Sequence, residues 1–117
     1  MKIRTKVWID DDQDRVVFGS GRARMLEAID RLGSMNKAAK EMKMSYRAVW
    51  GRIKSTEERL GAKILATSPG GGKRRGSILT PTGKKFLERY RLLKKKIVIQ
   101  ADQAFEEIFG MTGSDGK

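Results

Sequence analysis

Between Gly19 and Gly61 the apolar residues recur every three or four positions, and the recurrence is interrupted twice, at Gly33-Ser34 and at Lys43-Met44-Ser45. An unbroken period would predict one long helix; two interruptions predict three short ones that must fold against each other. Met25, Leu26, Ile29 and Leu32 make the stripe of the first, and Gly33 follows it as a left-handed C-terminal residue. Ser34 is expected to cap the second, with Met35, Ala38, Ala39 and Met42 on one face. Ser45 is expected to cap the third, which runs to Leu60 with Tyr46, Val49, Trp50, Ile53 and Leu60 inward and ends at Gly61.

On either side the period changes. Lys6-Val7-Trp8-Ile9 and Val16-Val17-Phe18 are β-prone runs around the acidic stretch Asp10–Asp14, which predicts a hairpin. That stretch lacks the glycine and the terminal glutamate of a calcium loop, so no metal is expected. Lys63–Thr67 and Ser77-Ile78-Leu79 read as two strands joined by the glycine-rich basic loop 68–76, a wing. Thr80 and Pro81 then open a helix in which Phe86, Tyr90, Leu93, Ile97, Ala101, Phe105 and Ile108 step by three or four to Phe109. At 1.5 Å per residue it is about 44 Å long, more than so small a domain can cover. The expected architecture is mainly α with small β (α+β): a winged helix-turn-helix over residues 1–81 with an N-terminal β-hairpin, a long dimerisation helix over 82–109, and a disordered tail over 110–117.

Charge narrows the function. Of 117 residues 26 are Lys or Arg and 14 are Asp or Glu, net +12, and there is no His or Cys. Zinc sites built on thiolate or imidazole, disulfides, cysteine nucleophiles and imidazole-based triads are thereby excluded, and no cofactor or enzymatic activity is expected. No apolar run reaches the roughly 18 residues of a membrane span, so a soluble, cytoplasmic protein is expected. The charge is concentrated: residues 34–69 carry 8 basic and 3 acidic groups and 70–96 carry 10 and 1, whereas 97–117 carry 1 and 4. A partner that is extended and densely anionic fits this better than a metabolite, and duplex DNA is the partner expected.

In a helix-turn-helix the second helix of the motif enters the major groove and aims its N-terminal side chains at base edges. Opposite Val49 and Ile53 the third helix carries Arg47, Gly51 and Lys54, with Ser45 at its exposed start. Arg47 has the fork to read guanine, Gly51 admits the backbone closely, and Lys54 suits a phosphate. Tyr46 and Trp50 share the phase of Val49 and Ile53, which favours core packing, although Tyr46 at the helix start also stands in the candidate DNA-binding set. Lys37 and Lys40 on the second helix are expected to clamp the backbone, beside Ser34, and Lys73, Arg74 and Arg75 to lie along the DNA from the wing tip. The same loop lacks the first glycine and the Ser or Thr of a phosphate-binding loop, so nucleotide hydrolysis is not expected. Phe86, Tyr90, Leu93, Ile97, Ala101, Phe105 and Ile108 would be a large exposed stripe on a monomer, and a homodimer through them is expected. The function expected is a sequence-specific regulator bound as a dimer to an inverted repeat; an architectural or RNA-binding protein without sequence choice is the alternative.

Gly33–Lys40, Met44–Trp50, Thr67–Gly72 and Leu79-Thr80-Pro81-Thr82-Gly83 resemble the N-terminal winged-helix domain of the ModE family of molybdate-responsive regulators, relatives of the LysR-type DNA-binding domain. The resemblance spans about residues 20–95. It implies DNA binding and dimerisation through helices outside the motif. The family's molybdate-binding domains fall outside the resemblance, which implies a stand-alone DNA-binding unit with an unknown effector.

Overall fold

Each helix starts and stops where a side chain or a glycine satisfies the backbone groups that a helix end leaves unpaired. The computed structural model describes residues 1–68 and 76–110. In chain order it has β1 (Ile9–Asp10), β2 (Val16–Phe18), α1 (Ser20–Leu32), α2 (Met35–Glu41), α3 (Tyr46–Leu60), β3 (Leu65–Thr67), β4 (Ser77–Leu79) and α4 (Pro81–Phe109). The Ser34, Ser45 and Thr80 side chains accept from the amides of Lys37, Ala48 and Gly83 and so start α2, α3 and α4. Gly33 and Gly61 close α1 and α3 at φ 70° and 77°, where a side chain would be strained. The turn between α2 and α3 also needs a left-handed residue, and there Lys43 takes φ 57°.

The strands are shorter than the β-prone runs. β1 and β2 pair antiparallel, Ile9 opposite Phe18, and the turn is organised by the Asp11 carboxylate, which accepts from the Gln13 and Arg15 amides and from Arg15 Nε. Lys6, Val7 and Trp8 lie outside β1 because no strand is opposite them; the Val7 carbonyl accepts instead from the Tyr90 hydroxyl at 2.7 Å. β3 and β4 pair antiparallel, Leu65 opposite Leu79 and Thr67 opposite Ser77. Their root is pinned to the α1–α2 turn, since the Ser77 amide donates to the Gly33 carbonyl at 3.0 Å and a Cβ on Gly76 would overlap that same oxygen. The wing tip, Lys73, Arg74 and Arg75 with it, and the tail beyond Gly110 lie outside the described residues.

Phe18 is the centre of the core. It is fully buried and meets Phe86 and Tyr90 edge-on, each with ring centroids 5.1 Å apart. This corrects the reading of the last helix: Tyr90 is buried within its own chain and is not free for a second copy, and Phe86 is half-buried there. Helical period marks the stripe but not its occupant, and the β-hairpin folds back onto it as far as Tyr90 in the third turn. α3 is held to the hairpin by Thr56 Oγ1, which donates to the Val17 carbonyl at 2.6 Å, and by Arg59, which donates to Val16 at 2.6 Å.

α4 leaves this core at a fixed angle. A Cβ on Gly83 would overlap the Ile64 carbonyl oxygen, so the first turn lies directly on that backbone. The Thr80 amide donates to the Ile64 carbonyl at 3.0 Å, and Thr80 Oγ1 donates to the Lys63 carbonyl at 2.7 Å. The buried residues of α4 are Gly83, Leu87 and Tyr90, all in its first ten. The rest projects away, which makes the radius of gyration 18.3 Å where a compact chain of this length has about 13 Å.

Candidate nucleic-acid interface

The inward line of α3 is Val49, Ile53 and Thr56, all buried. At 100° per residue the opposite line is Arg47 and Gly51, and both are exposed. Arg47 makes no hydrogen bond or ion pair with the described residues, which leaves all five guanidinium donors free. A Cβ at Gly51 would meet nothing within 4 Å, so the glycine serves nothing in the isolated chain; it leaves a shallow place on the outer face of the helix.

Tyr46 and Trp50 are not core residues, contrary to the reading from phase. They are 51% and 46% exposed. Their azimuths lie between the buried line and the outer line, and the wall they face is an open groove rather than packed protein. That groove, about 470 Å³, runs between α3 and the root of the wing; Tyr46, Trp50 and Lys54 line one side and Leu65, Thr67 and Ser77 the other. A second recess, about 410 Å³, is formed by Tyr46, Arg47 and Trp50. Tyr46 therefore stands at the face where a ligand would approach, and Trp50 joins it as a residue the sequence reading missed.

Lys54 is less free than an outward lysine. Its ammonium lies 3.2 Å from Glu57 Oε1 and 5.7 Å from the centre of the Trp50 ring. Glu57 is itself buried and accepts from the Ile64 and Leu65 amides at 2.9 and 3.2 Å, which ties α3 to β3. Burial pushes the Glu57 carboxyl up, but the two amides and the Lys54 ammonium outweigh it and hold the group below its ordinary value. The local pattern shows only the Lys54 pair and not the burial of Glu57, because the amides it accepts from lie seven and eight residues away.

On α2, Ala38 and Ala39 are buried and Lys37 and Lys40 lie on the opposite, exposed side. The Ser34 and Ser45 oxygens each accept one cap bond, which leaves their hydroxyl hydrogens to donate to a ligand. Ser34 follows the carbonyl that holds the wing root, and this brings the start of α2, the outer face of α3 and β4 to one side. Flanking α3, Arg22 donates to Ser55 Oγ at 3.1 Å; burial and then the nearby Arg52 and Arg59 push its pKa below the ordinary guanidinium value. Among the described residues no group of three acidic, His or Cys side chains could hold a metal, and no helix is long and apolar enough to cross a membrane.

Residues 21–84 match the family model of the bacterial regulatory helix-turn-helix proteins, lysR family. The molybdenum-pterin-binding protein MopB of Rhodobacter capsulatus is 38% identical over 73 residues, 62% of this chain and 27% of that protein. The molybdenum transport protein ModE of Azotobacter vinelandii is 34% identical over 94 residues, 80% of this chain and 35% of that one. The chain thus spans about a third of the length of these relatives. Among solved structures, the DNA complex of the CbnR DNA-binding domain superposes with a TM-score of 0.57 at 24% identity, over 75% of this chain and 95% of that one. CbnR itself, a LysR family transcriptional regulator, gives a TM-score of 0.56 at 26% identity over 74% of this chain and 28% of its own.

Proposed function

As the chain belongs to the lysR family of bacterial regulatory helix-turn-helix proteins, we propose that it is a transcription regulator that binds duplex DNA by sequence, in the cytoplasm, as a homodimer on an inverted repeat. The observation that carries the reading is the outer side of α3, where Arg47, without a partner among the described residues, open Gly51 and exposed Tyr46 and Trp50 stand beside the wing root. Arg47 reads a base, Gly51 lets the helix backbone come close, and the two aromatic rings pack on base edges or sugars at the groove wall. Lys54, already oriented by Trp50 and Glu57, meets phosphate. Ser34, Lys37 and Lys40 hold the backbone on one flank, and the basic residues Lys73, Arg74 and Arg75 add further phosphate contacts. The role is one of binding, with no catalytic step and no cofactor.

Selection from a random duplex library tests this. An enriched inverted repeat is expected, with half-sites about 34 Å apart, and affinity falling about 10³ to 10⁵ between 50 and 200 mM salt if six to ten phosphates are contacted. Equal competition by random duplex and by RNA would instead identify a binder without sequence choice.

A further inference from the structure

Three arginines gather where the first turn of α1 meets the flank of α3. Arg22 Nη2 donates to Ser55 Oγ at 3.1 Å and its Nε to the Arg52 carbonyl at 3.4 Å, so α1 holds this guanidinium against α3. Arg59, one turn beyond Ser55, is fixed by its bond to the Val16 carbonyl. The Arg52 side chain is exposed and makes no hydrogen bond among the described residues. Elsewhere on the surface Arg15, Arg31 and Arg91 each meet a carboxylate, whereas Arg22, Arg52 and Arg59 have none among the described residues. Burial first, and then the charges of Arg52 and Arg59, disfavour the Arg22 cation. Its own helix adds to this, because Arg22 stands in the first turn of α1, at the positive end of the helix dipole, and Gly19 brings no side-chain cap. Like charges gathered in this way repel one another unless an anion joins them.

We infer that Arg22 and Arg52, backed by Arg59, hold a phosphate group, and that its source is the phosphodiester of the DNA strand on the side of α3 away from the wing. The inference rests on the proposed DNA binding and adds the second lip of the groove to it. Lys54 and Arg52 lie about 160° apart around α3 at 100° per residue, and the wing root is on the Lys54 side. Exposed Arg47 and Gly51 lie between them. With that face in a major groove about 12 Å wide, Lys54 is directed at one backbone and Arg52 at the other. Arg22 uses two of its five donors on α3, which orients the rest, and Arg52 keeps all five. Two neighbouring guanidiniums offer the forked donors that phosphate oxygens take. Exposed Arg52 at the rim also favours the polymer over a free anion, since a free anion must displace water there unaided, whereas α3 itself brings the duplex alongside.

Arg52→Gln is the decisive variant, because that side chain forms no hydrogen bond or ion pair among the described residues and its loss should leave the fold intact. On the selected duplex the logarithmic salt slope is expected to fall by about one per copy and affinity by on the order of tenfold at about 50 mM salt, with the preferred sequence unchanged. Arg89→Gln, which removes an exposed cation from α4, is the control and is expected to leave the slope as it was. Single uncharged methylphosphonates placed along the duplex should reveal one position per half-site that weakens the unaltered protein and makes no further difference to Arg52→Gln. An unchanged slope in Arg52→Gln overturns the inference. If inorganic phosphate at fixed ionic strength then raises the melting temperature of the unaltered protein and not that of Arg52→Gln, the cluster belongs to a free anion instead. A chain that prefers no duplex sequence sinks the regulator reading alone, because the salt slope on random duplex still reports the cluster.

Discussion

The two ends of α4 carry the same apolar period and meet opposite fates. From Pro81 to Tyr90 the stripe lies under the hairpin and over Ile64, with Phe18 at its centre; from Leu93 to Ile108 nothing in the described chain covers it. Periodicity therefore reports how much apolar surface a helix must bury, and only the surrounding topology reports whether the chain buries it alone. The near end is a question of folding, the far end, on the proposed reading, one of association.

The largest test of that division is Phe18→Ala, which removes the ring that both Phe86 and Tyr90 meet. A loss of about 4 kcal/mol is expected, enough to unfold most of the molecule in a denaturant titration; a small loss would mean that the near end is not self-sufficient. Ile97→Glu should do the reverse. The monomer's melting is expected to stay as it was, while sedimentation shows the dimer weakened by about two orders of magnitude, the effect of placing a charge in an apolar seam. An intact dimer would place the interface elsewhere.

Glu57→Gln probes the near end electrostatically and is expected to cost about 2 kcal/mol at pH 7. Because the folded protein holds this carboxyl low, its contribution is complete above the unfolded value near 4.3 and is lost as pH falls through the folded one. The variant's deficit should accordingly shrink in acid, as read by unfolding at pH 7 and pH 3; a deficit independent of pH would assign Glu57 a purely steric role. The smallest effect is expected at Gly51→Ala. The site has room, so the helix should gain about 1 kcal/mol in a melt, yet DNA affinity should fall on the order of tenfold if the backbone comes as close to the groove as proposed. A variant both more stable and equally tight would take Gly51 out of the reading face.

Most of the architecture was legible because its boundaries are local chemistry. Ser34, Ser45 and Thr80 accept amides three residues on, Gly33 and Gly61 take the left-handed turn, and Pro81 starts α4, all of it inside windows of four or five residues. What escaped depends on distant partners. Tyr46 and Trp50 share a helical sector with Val49, but β3 stands off from them and leaves a groove. Tyr90 joins the hairpin through a hydrogen bond to Val7, 83 residues away, which no period can reveal. Lys43 occupies a left-handed position without being glycine, so the interrupted period gives the place of the turn before α3 but composition does not give its conformation.

The seating of Gly83 on Ile64, with Thr80 bonded to both Lys63 and Ile64, leaves α4 no freedom to swivel at its base. In the proposed homodimer, a paired α4 would then act as a rigid axle between the two helix-turn-helix units. Lengthening it by one residue would turn one unit by about 100° against the other as well as separating them, and only a whole seven-residue increment would bring them nearly back into phase.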